Sequence, residues 1–128
     1  MEIRELTKAE EEVMQILWRL KKGFVKEILE KFEEPRPAYT TVSTIIRILQ
    51  EKGFVDYKAY GRTHQYFPVI TKDDYKKAQM SSFVKDYFSN SYQNMVSFFA
   101  REKNISVREM EGIMDLMRKD TNGKQILK

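Results

Sequence analysis

The sequence contains no cysteine and a single histidine, His64. The first absence excludes disulfides, thiolate metal sites and cysteine nucleophiles, and the second leaves no imidazole pair for zinc. No metal ion or cofactor is expected. Long apolar runs are also missing: none approaches the about 18 residues that cross a bilayer, and Met1-Glu-Ile-Arg-Glu5 has no signal-peptide character. We therefore expect a cytoplasmic protein without membrane insertion. Proline is scarce, and Pro35, Pro37 and Pro68 each fall where a helix or strand should stop. With 128 residues the chain is no large enzyme, and it has room for one domain or two small ones.

An apolar content of 41%, including 12% aromatic residues, is enough to build a core. The net charge of +4 is mild, but it is unevenly spread. Residues 1–35 carry nine Glu against seven Lys and Arg, whereas residues 36–70 carry Arg36, Arg47, Lys52, Lys58 and Arg62 against Glu51 and Asp56. A positive excess confined to one segment suits contact with phosphates, and it equally suits an ordinary solvated surface.

The spacing of Thr7 and Glu10 is that of a capping box, and it opens a helix that buries Val13, Ile16, Leu17 and Leu20. Gly23 is expected to stop this helix, Trp18 to join the core, and Glu10-Glu-Glu12 to be an anion cluster at the positive helix end. A second helix is expected from Val25 to Glu33. The decisive stretch follows at Tyr39–Gly53. Wound at about 100° per residue, it places Val42, Ile45, Ile46 and Leu49 on one side and Thr40, Ser43, Thr44, Arg47 and Glu51 on the other. Solvated helix faces usually carry Glu, Lys and Gln, because Ser and Thr compete with the backbone for hydrogen bonds. Hydroxyls around one Arg suit a surface pressed against a partner, although capping by Thr40 or Thr41 would explain part of the cluster. Alternating residues from Phe54 then turn at Gly61-Arg62 and return through Gln65-Tyr66-Phe67. A reading helix followed by a hairpin predicts a winged helix-turn-helix.

After the wing, Thr71-Lys-Asp-Asp74 caps a new helix, Ser89-Asn-Ser91 interrupts the helical run, and Ser106 with Glu109 repeats the capping-box spacing. Phe83, Tyr87, Phe88, Met95, Phe98, Phe99, Met110, Ile113, Met114 and Met117 give these helices apolar faces too large for so short a segment to hide. We expect a helical dimerisation domain; the same stripe could line an effector pocket. The overall expectation is a mainly α fold with a small β-hairpin wing: a DNA-binding domain over residues 1–72, a dimerisation domain over 73–120 and a flexible tail over 121–128.

Three blocks carry a family resemblance: Leu6-Thr-Lys-Ala-Glu-Glu-Glu-Val-Met-Gln-Ile-Leu-Trp18, then Thr41-Val-Ser-Thr44 with Leu49 and Lys52-Gly53, then Gly61-Arg-Thr-His-Gln-Tyr66. With Met95-Val-Ser-Phe-Phe99 and Ile105-Ser106, the chain resembles the penicillinase repressor family of bacterial transcription factors, also called the BlaI/MecI/CopY family. The resemblance implies a homodimeric repressor that binds palindromic operators of resistance genes. In the beta-lactam branch it implies a membrane-bound sensor metalloprotease as partner and cleavage inside the dimerisation domain. Three departures stand out. Ile48 occupies the position of a family Arg, with Arg47 beside it; the C-terminal cysteine pairs of the copper branch are absent; and the family's Asn-Phe cleavage bond aligns with Phe98-Phe99.

Residues expected to meet double-stranded DNA are Thr40, Thr41, Ser43, Thr44 and Arg47 on the helix, and Lys58, Arg62 and His64 on the hairpin. A winged-helix adaptor for another protein is the competing reading. It requires an exposed apolar patch in the first 70 residues, and none is expected. His64 has no neighbouring Ser, Cys or carboxylate pair in sequence, so no enzyme is expected.

Overall fold

A computed structural model of the chain describes residues 3–103 together with Ser106, Arg108, Glu109, Glu111, Gly112 and Asp115. Helix α1 (Lys8–Leu20) starts as the sequence dictates: Glu10 N–H donates to Thr7 Oγ1 at 3.2 Å and Thr7 N–H donates to Glu10 Oε1 at 3.0 Å. Its end differs from expectation. Lys21, at φ 73°, takes the left-handed cap, and Gly23 instead opens a short strand, β1 (Gly23–Phe24).

Helix α2 (Val25–Glu30) stops three residues short of Glu33. Lys31 and Phe32 N–H reach back only to Ile28 and Leu29 carbonyls, and the Arg36 guanidinium takes the Glu30 and Phe32 carbonyls at 3.2 and 3.1 Å. The hydrogen bonds thus shorten to three-residue steps as the chain leaves the helix, and Pro35 and Pro37 follow. Helix α3 (Tyr39–Glu51) leads through Gly53, at φ 83°, into strand β2 (Val55–Tyr60). Gly61, at φ 62°, and Arg62 make the turn to β3 (Thr63–Pro68), with Tyr60 opposite Thr63. The sheet has three antiparallel strands in the order β1-β3-β2, with Gly23 opposite Tyr66 and Phe24 opposite Gln65.

The chain divides into two compact units, Met1–Ala78 and Gln79–Lys128. Val13, Met14, Leu17, Ile28, Val42, Ile46, Leu49 and Phe54 are fully buried in the first. Trp18 packs against this core half-buried, with Nε1–H donating to the Ile70 carbonyl at 2.9 Å. Helix α4 (Lys72–Phe88) begins under a Thr71 cap, and its Tyr75 belongs to the first core, 5.6 Å from the Phe54 ring and 5.7 Å from Trp18. Burial, followed by hydrogen bonding to Glu11 at 2.8 Å, raises the Tyr75 phenol above its ordinary pKa.

Ser89 and Asn90 both take positive φ and separate α4 from α5 (Tyr92–Lys103), whose first turn is capped by Ser91. Val84, Met95 and Val96 form the small core of the second unit, with Phe88, Tyr92 and Phe99 packed on it. Met95 therefore points into its own unit rather than outward as expected of a dimer contact. The Ser106–Glu109 box forms, with Glu109 N–H on Ser106 Oγ at 3.1 Å. Met110, Ile113, Met114, Met117 and the 121–128 tail lie outside the described residues.

Candidate nucleic-acid interface

Helix α3 is sorted by its own sequence. Val42, Ile46 and Leu49 are 0% exposed, and Thr40, Thr44 and Arg47 are exposed on the other side, with Ser43 half-buried beside them. Ile45 is half-buried and so sits at the edge of the stripe rather than within it. The helix begins from Ala38, which makes no side-chain capping bond, so Thr40 and Thr41 lie within the first turn and neither serves as the cap. Capping therefore accounts for none of the hydroxyl cluster.

Beside α3 lies a groove of about 820 Å³ that brings Tyr39, Ser43, Arg47 and Gln50 of the helix opposite Tyr57, Arg62, Thr63, His64 and Tyr66 of the wing. Its floor is closed by Phe24, Val25, Lys26 and Glu27, because β1 pairs with β3 and carries the start of α2 to the wing. Four expected DNA residues thus share one concavity: Ser43, Arg47, Arg62 and His64. Thr40 and Thr44 stand exposed on α3 outside it. Thr41 turns the other way, with Ile45, into a second hollow of about 620 Å³ bounded by Arg19 and Arg36. Lys58 does not line the groove. Strand alternation puts it on the opposite face from Tyr57 and His64, with its Nζ 5.4 Å from the centre of the Tyr60 ring.

The His64 imidazole stacks on Tyr57 with ring centres 4.0 Å apart and planes within 10°, and meets Tyr66 edge-on at 6.1 Å. Burial raises the Tyr66 phenol above its ordinary pKa, and the nearby Arg47 charge works against that rise. Tyr39, Gln50, Tyr57 and Lys26 escaped the sequence reading, since nothing in local spacing shows that β1 brings α2 against the wing. Tyr60, Phe67 and Val69 are exposed apolar side chains of this unit, with Tyr60 and Phe67 at opposite ends of the hairpin. Phe67 opposes Asp56 in the ladder, on the face away from Tyr57 and Tyr66.

In the second unit Phe83, Tyr87 and Phe98 are exposed, while Phe88 and Phe99 are partly covered by the small core. Phe98 and Phe99 both lie inside α5, their rings 5.4 Å apart and nearly perpendicular.

The family model for the penicillinase repressor matches residues 6–119. The chain belongs to that family. Among its relatives, the methicillin resistance regulatory protein MecI of Mammaliicoccus sciuri is 28% identical over 116 residues, covering 90% of this chain and 94% of the relative. The penicillinase repressor of Bacillus licheniformis is 23% identical over 124 residues, covering 96% and 97%. The solution structure of the DNA-binding domain of the repressor BlaI superimposes with a TM-score of 0.51 at 27% identity, over 59% of this chain and 94% of that domain. The family's fold, a winged helix-turn-helix, is the one that α1 to β3 build here. Among the described residues no group of three or more His, Cys, Asp or Glu could hold a metal ion, and no helix is long and apolar enough to cross a membrane.

Proposed function

We propose that this protein is a DNA-binding transcriptional repressor that acts as a homodimer on palindromic operators of antibiotic-resistance or sensor-protease genes. The observation that carries this reading is the outward face of α3: Thr40, Thr44 and Arg47 are exposed on a helix whose other side is fully buried, with Arg62 of the wing facing the same groove as Arg47. Arg is suited to a guanine edge and a Thr methyl to thymine, while Arg62 addresses the phosphate backbone. Membership in a family of repressors argues in the same direction and against catalysis.

The exposed Phe83, Tyr87 and Phe98 support a two-fold contact through the second unit. In this reading a membrane sensor metalloprotease is the partner that ends repression, by inducing cleavage near Phe98-Phe99. The alternative, an adaptor that binds protein, draws on the exposed Tyr60, Phe67 and Val69.

Selection of duplexes from a random pool by the full-length protein, followed by titration of the selected and scrambled sequences, tests the reading. We expect a two-fold symmetric site bound at least about 10³-fold more tightly than scrambled DNA. Equal affinity for both would remove sequence-specific repression, and binding to neither would favour the adaptor.

A further inference from the structure

His64 is the sequence's single histidine, and its place in the groove is unusual for an imidazole with no catalytic neighbours. The ring is held flat against Tyr57 and is half-buried, so its orientation is fixed before any ligand arrives. Neither ring nitrogen makes a hydrogen bond to the described residues, which leaves both edges for a partner.

We propose that His64 is a proton-dependent phosphate contact, and that the protein grips DNA more tightly as this imidazole gains its charge. The inference rests on the DNA-binding reading of the same groove.

The groove that holds His64 is lined by titratable and charged groups from each element around it. From the sheet, Tyr57 and Tyr66 present neutral phenols, and the turn contributes Arg62. From the helices come Arg47 and Tyr39 of α3, and Lys26 and Glu27 of α2. Glu27 is already engaged, its Oε1 accepting from Phe24 N–H at 2.8 Å. A DNA phosphate seated in the groove places a negative charge beside the ring and favours its protonated form. DNA binding is therefore coupled to proton uptake at His64, and affinity rises as pH falls through the imidazole range.

The test is a salt titration of the full-length protein on a rhodamine-labelled mixed-sequence duplex, at about pH 8 and about pH 5.5, either side of the ordinary imidazole range. At the lower pH, the plot of log affinity against log salt should steepen by about 0.9 per bound chain, one extra phosphate contact. At moderate salt the affinity should rise about two- to fivefold per chain, the range of an exposed ion pair. His64→Gln should show the shallower slope at both pH values, and His64→Arg the steeper slope at both. Because the sequence has no second histidine, a response lost in His64→Gln belongs to this ring. A wild-type slope that does not change with pH, or a pH response that survives in His64→Gln, overturns the proposal and leaves the DNA-binding reading standing. A wild-type protein that binds no duplex at either pH overturns both.

Discussion

Lys52 Nζ lies 2.6 Å from Oε1 of Glu10, joining the end of α3 to the first turn of α1. Both side chains are largely buried, and Lys52 also donates to the Glu5 carbonyl at 3.1 Å. Burial works to raise the Glu10 pKa, but the Lys52 ammonium and the Thr7 N–H outweigh it and hold the carboxyl below its ordinary value.

Lys52→Met should therefore cost about 3 kcal/mol of stability, because it strands a buried carboxylate, and Glu10→Gln should cost less. A carboxyl whose folded pKa is depressed contributes stability above the ordinary glutamate range, and that contribution is lost as pH falls through the folded value. Urea midpoints measured down the acid limb should accordingly fall less steeply in Glu10→Gln than in wild type. Parallel acid limbs would show that the pair adds nothing.

Arg47→Ala and Thr44→Ala should each weaken operator binding by about 1–3 kcal/mol and relax base preference, with folding intact. Both side chains are exposed on the side away from Val42, Ile46 and Leu49. Titrations on operator and scrambled duplexes separate base contacts from phosphate contacts: equal loss on both would assign them to the backbone.

Arg62→Ala should weaken binding to every sequence and flatten the salt dependence by about 0.9 of slope per chain, as the loss of a phosphate contact does. An unchanged slope would take the wing tip out of the interface.

Truncation gives the fourth test. A chain ending at Ala78 keeps Tyr75 and should fold, binding half-sites weakly because the linked second head is gone. In the full-length protein, Tyr75→Ala should cost about 3–4 kcal/mol, since it removes a ring packed on Trp18 and Phe54. Ultracentrifugation and thermal melts check both. A truncated chain that binds palindromes as tightly as the intact protein would dismiss the second unit as the dimer contact.

Local chemistry made much of this fold legible. The Thr7–Glu10 box, the Gly61-Arg62 turn, the two-sided pattern of α3 and the Ser89–Asn90 break are each written within a few residues, and each is found in the structure. What escaped was long-range. A strand of two residues, Gly23–Phe24, has no period to detect, yet its pairing with β3 closes the groove. Glu10 and Lys52 are 42 positions apart, so the acidic run reads as a helix-end anion cluster and its Lys52 partner is not visible in local sequence. Strand alternation puts Lys58 on the sheet face away from the groove, and Met95 is buried in a three-residue core, placements that neither residue's neighbours in sequence reveal. Tyr75 follows the wing in sequence but completes the core before it, a placement that burial decides and spacing does not reveal.

Ser and Thr are poor helix formers, so α3 owes its persistence to the buried Val42, Ile46 and Leu49 rather than to its outer face. The exposed letters and the letters that hold the helix are thus different letters on one short element. Thr40, Thr44 and Arg47 can be rewritten without touching the packing that keeps α3 in place. In evolutionary terms the outer face is an erasable label on a fixed support; under the proposed DNA-binding reading, a lineage of such proteins moves to new operators one exposed residue at a time, with little loss of stability at each step.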